Sequence, residues 1–199
     1  MNSRFFIVYL FVYLFFISCK KDKDATPSAQ SEVSYRPLSI QVNFTESKDV
    51  DLNEDGKADI QLYSESYIDP TDRLDAYLIR CLQGHQVTQV KLTDNPLFNA
   101  INVMSYNGNE LISETLASEL AWEAKDGILA MRHTSNSTTY IGRWSDGNEK
   151  LMALKLNIDG KAHFGWLRIR YNRQQHALLL TGFAYQKKAG NSIKAGQVE

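Results

Sequence analysis

The chain has 199 residues, a net charge of −1 and 23% charged residues, the proportions of one ordinary globular domain. There is no basic excess, so nucleic acid is excluded as a partner. Three Trp, ten Tyr and nine Phe against four Pro supply the large apolar side chains of a sizeable core.

At the N-terminus, Phe5 through Phe16 is an almost unbroken run of Phe, Tyr, Leu, Ile and Val behind a head carrying Arg4. A basic head with an apolar run of about 7–15 residues describes a secretory signal, whereas a spanning helix needs about 20. An uncleaved N-terminal anchor is the other reading of the run. Ser18-Cys19-Lys20-Lys21-Asp22 comes next and resembles the lipobox and tail of Bacteroidota-type lipoproteins, with Phe16 and Ile17 departing from the commonest Leu-Ala/Ser pattern. The resemblance implies a signal peptide over 1–18 and a Cys19 carrying diacylglycerol and an N-acyl chain such as palmitate. Lys20 rather than Asp follows the cysteine, which implies the outer membrane, on its periplasmic or its cell-surface face. Residues 19–33 then read as the lipidated cysteine and a flexible polar tether, and residues 34–199 as a single domain.

Within the domain, Leu38, Ile40, Val42 and Phe44 alternate with polar residues, the period of a half-buried strand. Ile60-Gln61-Leu62-Tyr63 resumes that period after an acidic loop. Arg73–Gln83 and Gln86–Leu92 are two further strands around Gly84, and Asp94-Asn95-Pro96 closes the section. Ser113–Ala124 reads either as a short helix with Ser113 as N-cap or as a long packed loop. Five short strands follow, over Ile128–His133, Thr138–Trp144, Leu151–Ile158, Ala162–Tyr171 and Ala177–Gln186. Many short strands without a long amphipathic helix predict an all-β antiparallel sandwich or jelly roll. Asp159-Gly160 is a type I′ signal, so Ile158 faces Lys161, Leu156 faces His163, Leu154 faces Gly165, and Met152 faces Leu167. Met152, Leu154, Leu156, Leu167 and Ile169 then share a core face. Cys81, in a strand-like run and without a disulfide partner once Cys19 is lipidated, reads as a buried and inert thiol.

The acidic loop is Asp51-Leu52-Asn53-Glu54-Asp55-Gly56-Lys57-Ala58-Asp59. Asp51, Asn53, Asp55 and Asp59 place oxygens at positions 1, 3, 5 and 9, Lys57 offers a backbone carbonyl at 7, and Gly56 permits the turn. This donor set suits calcium, which takes six to eight oxygens in adaptable geometry, better than the stricter octahedron of magnesium. Position 12 is Leu62 where an EF-hand has Glu, so binding is expected in the weak ~10⁻⁴–10⁻³ M range of extracellular modules. The loop resembles the D-x-[DN]-x-[DN]-G-x-x-D hairpin loops between strands of secreted bacterial proteins.

A second candidate is the opposite face of the predicted hairpin, with Phe164, Trp166, Arg168 and Arg170. It reads as a platform for stacking on a glycan or a surface protein, or as a packed aromatic layer with Arg168 stacked upon it. No catalytic set stands out among the four histidines or the serines. Together the loop, Gly160-Lys161-Ala162-His163-Phe164-Gly165-Trp166-Leu167-Arg168, and Phe183-Ala184-Tyr185 resemble uncharacterised anchor-bearing secreted bacterial proteins with G-x-x-H-Y-G-W-x-R and Y-A-Y-E signatures. The resemblance implies a calcium-assisted β-sandwich at the cell surface and no particular activity. The expected function is a non-catalytic, outer-membrane-anchored binding or structural module; a polysaccharide-active enzyme is the alternative.

Overall fold

The computed structural model describes residues 32–91 and 97–199. The signal peptide, Cys19, most of the tether and the Asp94–Pro96 turn lie outside them. Val33, expected as the last residue of the tether, is already the first residue of a strand and is buried.

The chain begins with β1 (Val33–Asn43), β2 (Lys48–Val50), β3 (Ile60–Ile68), β4 (Arg73–Cys81) and β5 (Gln86–Val90). Short strands follow: β6 (Ile101–Asn102), β7 (Ser105–Tyr106), β8 (Leu111–Ile112) and β9 (Leu120–Glu123). The second half comprises β10 (Gly127–Thr134), β11 (Thr138–Ile141), β12 (Glu149–Ile158), β13 (Lys161–Asn172), β14 (Ala177–Gln186) and β15 (Ile193–Lys194). One sheet has the order β1-β14-β13-β12-β5-β9, with β7 beside β12. The other has the order β11-β10-β4-β3-β2, with β6 added parallel to β10. Every other pairing is antiparallel, and the fold is the all-β sandwich expected.

The main core lies between the sheets. Leu62, Tyr77, Ile79 and Leu129 from one meet Met152, Leu154, Leu167 and Phe183 from the other. The register predicted for β12 and β13 is the one observed, from Ile158↔Lys161 to Lys150↔Ile169. Asp159 and Gly160 have φ of 51° and 75°, as a type I′ turn requires. That turn is what sets the alternation, so the core face follows from it.

Two local expectations need correction. β1 is not the strand that enters the acidic loop: a turn after Asn43 carries the chain into the other sheet, where β2 and β3 form the loop's hairpin through Lys48↔Leu62 and Val50↔Ile60. Of the two readings of Ser113–Ala124 the helix fails, and the loop holds from Ser113 to Glu119. Leu120–Glu123 is strand β9 along β5, and the Ser113 hydroxyl donates to the Thr115 carbonyl instead of capping amides. Residues with good helix propensity yield here to the open edge of β5, a tertiary demand that outweighs a few tenths of a kcal/mol per residue. Trp122 gains a second constraint, donating its indole N–H to the Ser113 carbonyl at 3.3 Å.

Gly165 marks the closest approach within the first sheet. A Cβ there would lie 2.5 Å from the Ala184 carbonyl oxygen and 3.0 Å from the Tyr185 Cβ. Backbone atoms cannot step aside as a side-chain tip can. Gly165→Ala is expected to lower stability by about 1–3 kcal/mol in urea unfolding, the usual cost of overpacking. Gly160→Ala meets nothing within 4 Å and is expected to cost only the ~1 kcal/mol of its left-handed backbone.

An acidic hairpin loop bolted to both sheets

The segment between β2 and β3 is organised by its own alternating oxygens. Asp51 accepts from the Glu54 amide at 2.7 Å and from the Gly56 amide at 2.8 Å. The Asn53 side-chain oxygen accepts from the Asp55 amide at 3.0 Å, and Asp55 from the Lys57 amide at 2.9 Å. Short polar side chains that bond two or more residues onward are the local chemistry of tight turns. Gly56, at φ 86°, takes the left-handed position the curl needs. Leu52 points the other way and is part of the main core, which fixes the loop's depth.

Asp59 differs from the other three. It is 1% exposed, and its carboxylate turns inward. One oxygen accepts from the Leu52 amide at 2.6 Å and the Asn53 amide at 3.1 Å; the other lies 2.6 Å from His85 Nε2. His85 is also 1% exposed, and its Nδ1 accepts from the Asn157 amide at 2.8 Å. An amide can only donate, so Nδ1 is the bare nitrogen and Nε2–H donates to Asp59. Burial alone would raise the Asp59 carboxyl. The hydrogen bonds from His85, Leu52 and Asn53 outweigh it and hold the group below the ordinary carboxylate range.

This relay crosses the sandwich. Asp59 stands at the entry to β3, whereas His85 precedes β5 and Asn157 is on β12, both in the opposite sheet. The turn that brings His85 over has Gln83 and Gly84 at φ 52° and 76°, and Asn157 Nδ2 donates to the Gln83 carbonyl. A second tie comes from β1: Arg36 donates to Glu54 and to the Asp51 carbonyl, each at 2.5 Å. The loop, the Gln83–His85 turn and the Asp159–Gly160 turn surround a polar hollow of about 250 Å³.

As a metal loop, the segment fits in part. Each side-chain oxygen of Asp51 and Asp55, and that of Asn53, accepts one N–H bond and keeps a second lone pair. Asp59 has a single lone pair left, on the oxygen facing His85. Among the described residues no three His, Cys, Asp or Glu side chains are gathered as a metal site. An ion held here would draw on amide and backbone oxygens, from Asn53 and Lys57, beside Asp51 and Asp55. Hard oxygens of that mixed kind are what calcium accepts.

The aromatic face is not an open platform. Phe164 and Trp166 are fully buried, in a second core with Tyr106, Ile112, Ile193 and Ala195. The C-terminal segment lies over them: β15 pairs with β8, and Trp166 Nε1 donates to the Gln197 carbonyl at 2.9 Å. The Arg168 guanidinium lies 5.0 Å from the Trp166 ring centroid and pairs with Glu149. Arg170 stays exposed. Cys81 is half-buried where a fully buried thiol was expected, and desolvation with Asp126 pushes its thiol up to about 12.

His85 and Arg36 carry no signal that links them to the loop in sequence; only the crossing of β1 and β5 into the other sheet brings them there. The fold and site define a class, the all-β sandwich with an acidic hairpin loop fastened across its layers. No family model, no curated protein and no solved structure matches the chain.

Asp59→Ala is expected to cost about 3–5 kcal/mol in chemical denaturation, because it strands a buried histidine N–H and two amides. Asp55→Ala, at an exposed position, is expected to stay within about 1 kcal/mol. Since the Asp59 carboxyl is lowered in the folded state, its contribution is complete above the unfolded value of about 3.9 and fades as pH falls below it. Acid unfolding of Asp59→Asn followed by circular dichroism should lack that component.

Proposed function

We propose that the chain is a lipid-anchored, non-catalytic module of the outer membrane whose Asp51–Asp59 loop takes calcium as a structural ion. The observation that carries the ion is the alternation of Asp51, Asn53 and Asp55 on a loop already curled by its own amides, with spare lone pairs on each. Because Arg36 and the Asp59–His85 relay hold the loop, the ion adds stability to a formed turn and does not have to fold one. The Cys19 lipobox carries the anchor. Several acyl chains give the durable attachment that one chain does not.

A binding or structural role is also supported by how the titratable groups are used. His85 has both ring nitrogens committed, and buried Asp75 is held by Ser66, Arg73 and Arg132. Both are spent on the fold. A general base needs a free nitrogen or oxygen within reach of its substrate.

Calcium at ten times its dissociation constant is expected to stabilise the protein by ~1.4 kcal/mol, or roughly 3–5 °C in melting temperature. Chelation should reverse the shift, and Asp55→Ala should abolish it. A melting curve indifferent to ~10 mM calcium leaves the loop as a turn only. The anchor is tested separately by Cys19→Ser, which should move the protein from the membrane fraction to the soluble one; continued retention removes the lipoprotein reading.

A further inference from the structure

At the end of the sandwich opposite the acidic loop, His176 lies in the turn between β13 and β14. Its backbone is left-handed, at φ 50°. Its carbonyl accepts from the Phe44 amide at 3.2 Å and from the Tyr77 hydroxyl, joining the β1–β2 turn of one edge to β4 of the other sheet. The imidazole stacks on the Phe44 ring, with centroids 4.7 Å apart and planes 15° from parallel. Tyr77 and Tyr171 close on it edge-first at 5.5 and 6.1 Å. His176 Nε2 is buried without a hydrogen-bond partner, as are the Tyr171 hydroxyl and Arg132 Nε.

The surrounding charges are unfavourable to a second proton on this ring. From β4 come Arg73, Asp75 and Tyr77; from β10, Arg132; from β13, Tyr171; from the β1–β2 turn, Glu46; and from its own turn, Arg173. Asp75 is the acid nearest to offsetting a charge, and it is fully buried with Arg73, Arg132 and Ser66 each bonded to it at 2.7 Å. Glu46 is occupied by the Asn43 amide and side chain. In an imidazolium both nitrogens carry hydrogen, so Nε2–H becomes a buried donor without an acceptor, beside two guanidinium groups.

We propose that His176 is an acid-released latch: as the neutral imidazole it clamps the Phe44 turn and Tyr77 to the β13–β14 turn, and on taking up a proton it lets that end of the sandwich open. Burial first, then Arg132 and Arg73 against the opposing pull of Asp75, hold the imidazole below its ordinary value. The sign follows. Protons bind more readily to the opened turn, so the latch is at full strength above about pH 6.5 and weakens as pH falls through that value.

The test is hydrogen exchange at the Phe44 amide, expressed as a protection factor from about pH 7 to about pH 5, with the His176 ring signal followed by NMR in the same samples. Protection should fall several-fold in the native protein while amides of β12 and β13 keep theirs. In His176→Asn, a residue that tolerates the left-handed backbone, protection at Phe44 should no longer depend on pH. The proposal is overturned by a His176 ring titrating at or above about 6.5, by protection that ignores pH, or by a pH-dependent loss that persists in His176→Asn. The ring titration needs only the native protein, so it decides even where the variant fails to fold.

Discussion

The hydrogen-bonded line from Asp59 through His85 to the Asn157 amide is the contact on which the arrangement of the two sheets at this end depends. A carboxylate 1% exposed is costly to bury, and a lone pair partner rarely compensates. Here three donors share the charge: two amides of the loop that Asp59 itself closes, and an imidazole whose other nitrogen is satisfied in turn. Every polar atom of the relay has a partner, the condition under which a buried polar network specifies one packing and not several. The relay accordingly fixes three things together: the curl of the acidic loop, the crossing from β4 to β5, and the height of the β12–β13 hairpin against the opposite sheet.

The first sheet is sandwiched twice. Met152, Leu154 and Leu156 face the inter-sheet core, while Ala153, Phe164 and Trp166 of the same hairpin face a second one. Sheets with one solvated face show a clean alternation of apolar and polar residues. The β13 segment His163-Phe164-Gly165-Trp166-Leu167 breaks that alternation because β8, β15 and the C-terminal residues cover its outer side. An aromatic pair that would suit a ligand in an open sheet is thus consumed by packing, and Arg168 finishes the layer by lying on Trp166.

Sequence legibility follows the range of the interactions. The β12–β13 register could be read because a two-residue turn, Asp159-Gly160, determines it locally. The curl of Asp51–Asp55 could be read because each oxygen bonds an amide two to five residues away. The partners that decide what those pieces do are distant. His85 is 26 residues from Asp59, and Gln197 is 31 from Trp166. Ser113–Ala124 shows the same limit in reverse, since its local preference for helix is real and an unpaired edge of β5 overrides it. Asp59 had the right place in a ligand pattern, but the pattern does not contain the histidine that turns its carboxylate inward.

The two ends of the sandwich differ in what holds them, and strand β1 is built so that the difference can persist. Its pairing with β14 is interrupted between Pro37 and Ile40 by a register shift. Pro37 has no amide hydrogen to give, and a bulge leaves a residue unpaired and bends the strand. The ladder is therefore two short ones, Val33–Pro37 beside the acidic loop and Ile40–Asn43 beside His176. Loss of hydrogen bonds spreads along a continuous ladder but stops readily at such a break, the behaviour of separate cooperative units. Arg36 ties the first half of β1 to Asp51 and Glu54, so that half stays with the loop. The second half is held through Phe44 and the His176 carbonyl, beside a ring nitrogen and a tyrosine hydroxyl that have no partners. Local opening belongs to that half, and the break in β1 is what keeps it from reaching the relay.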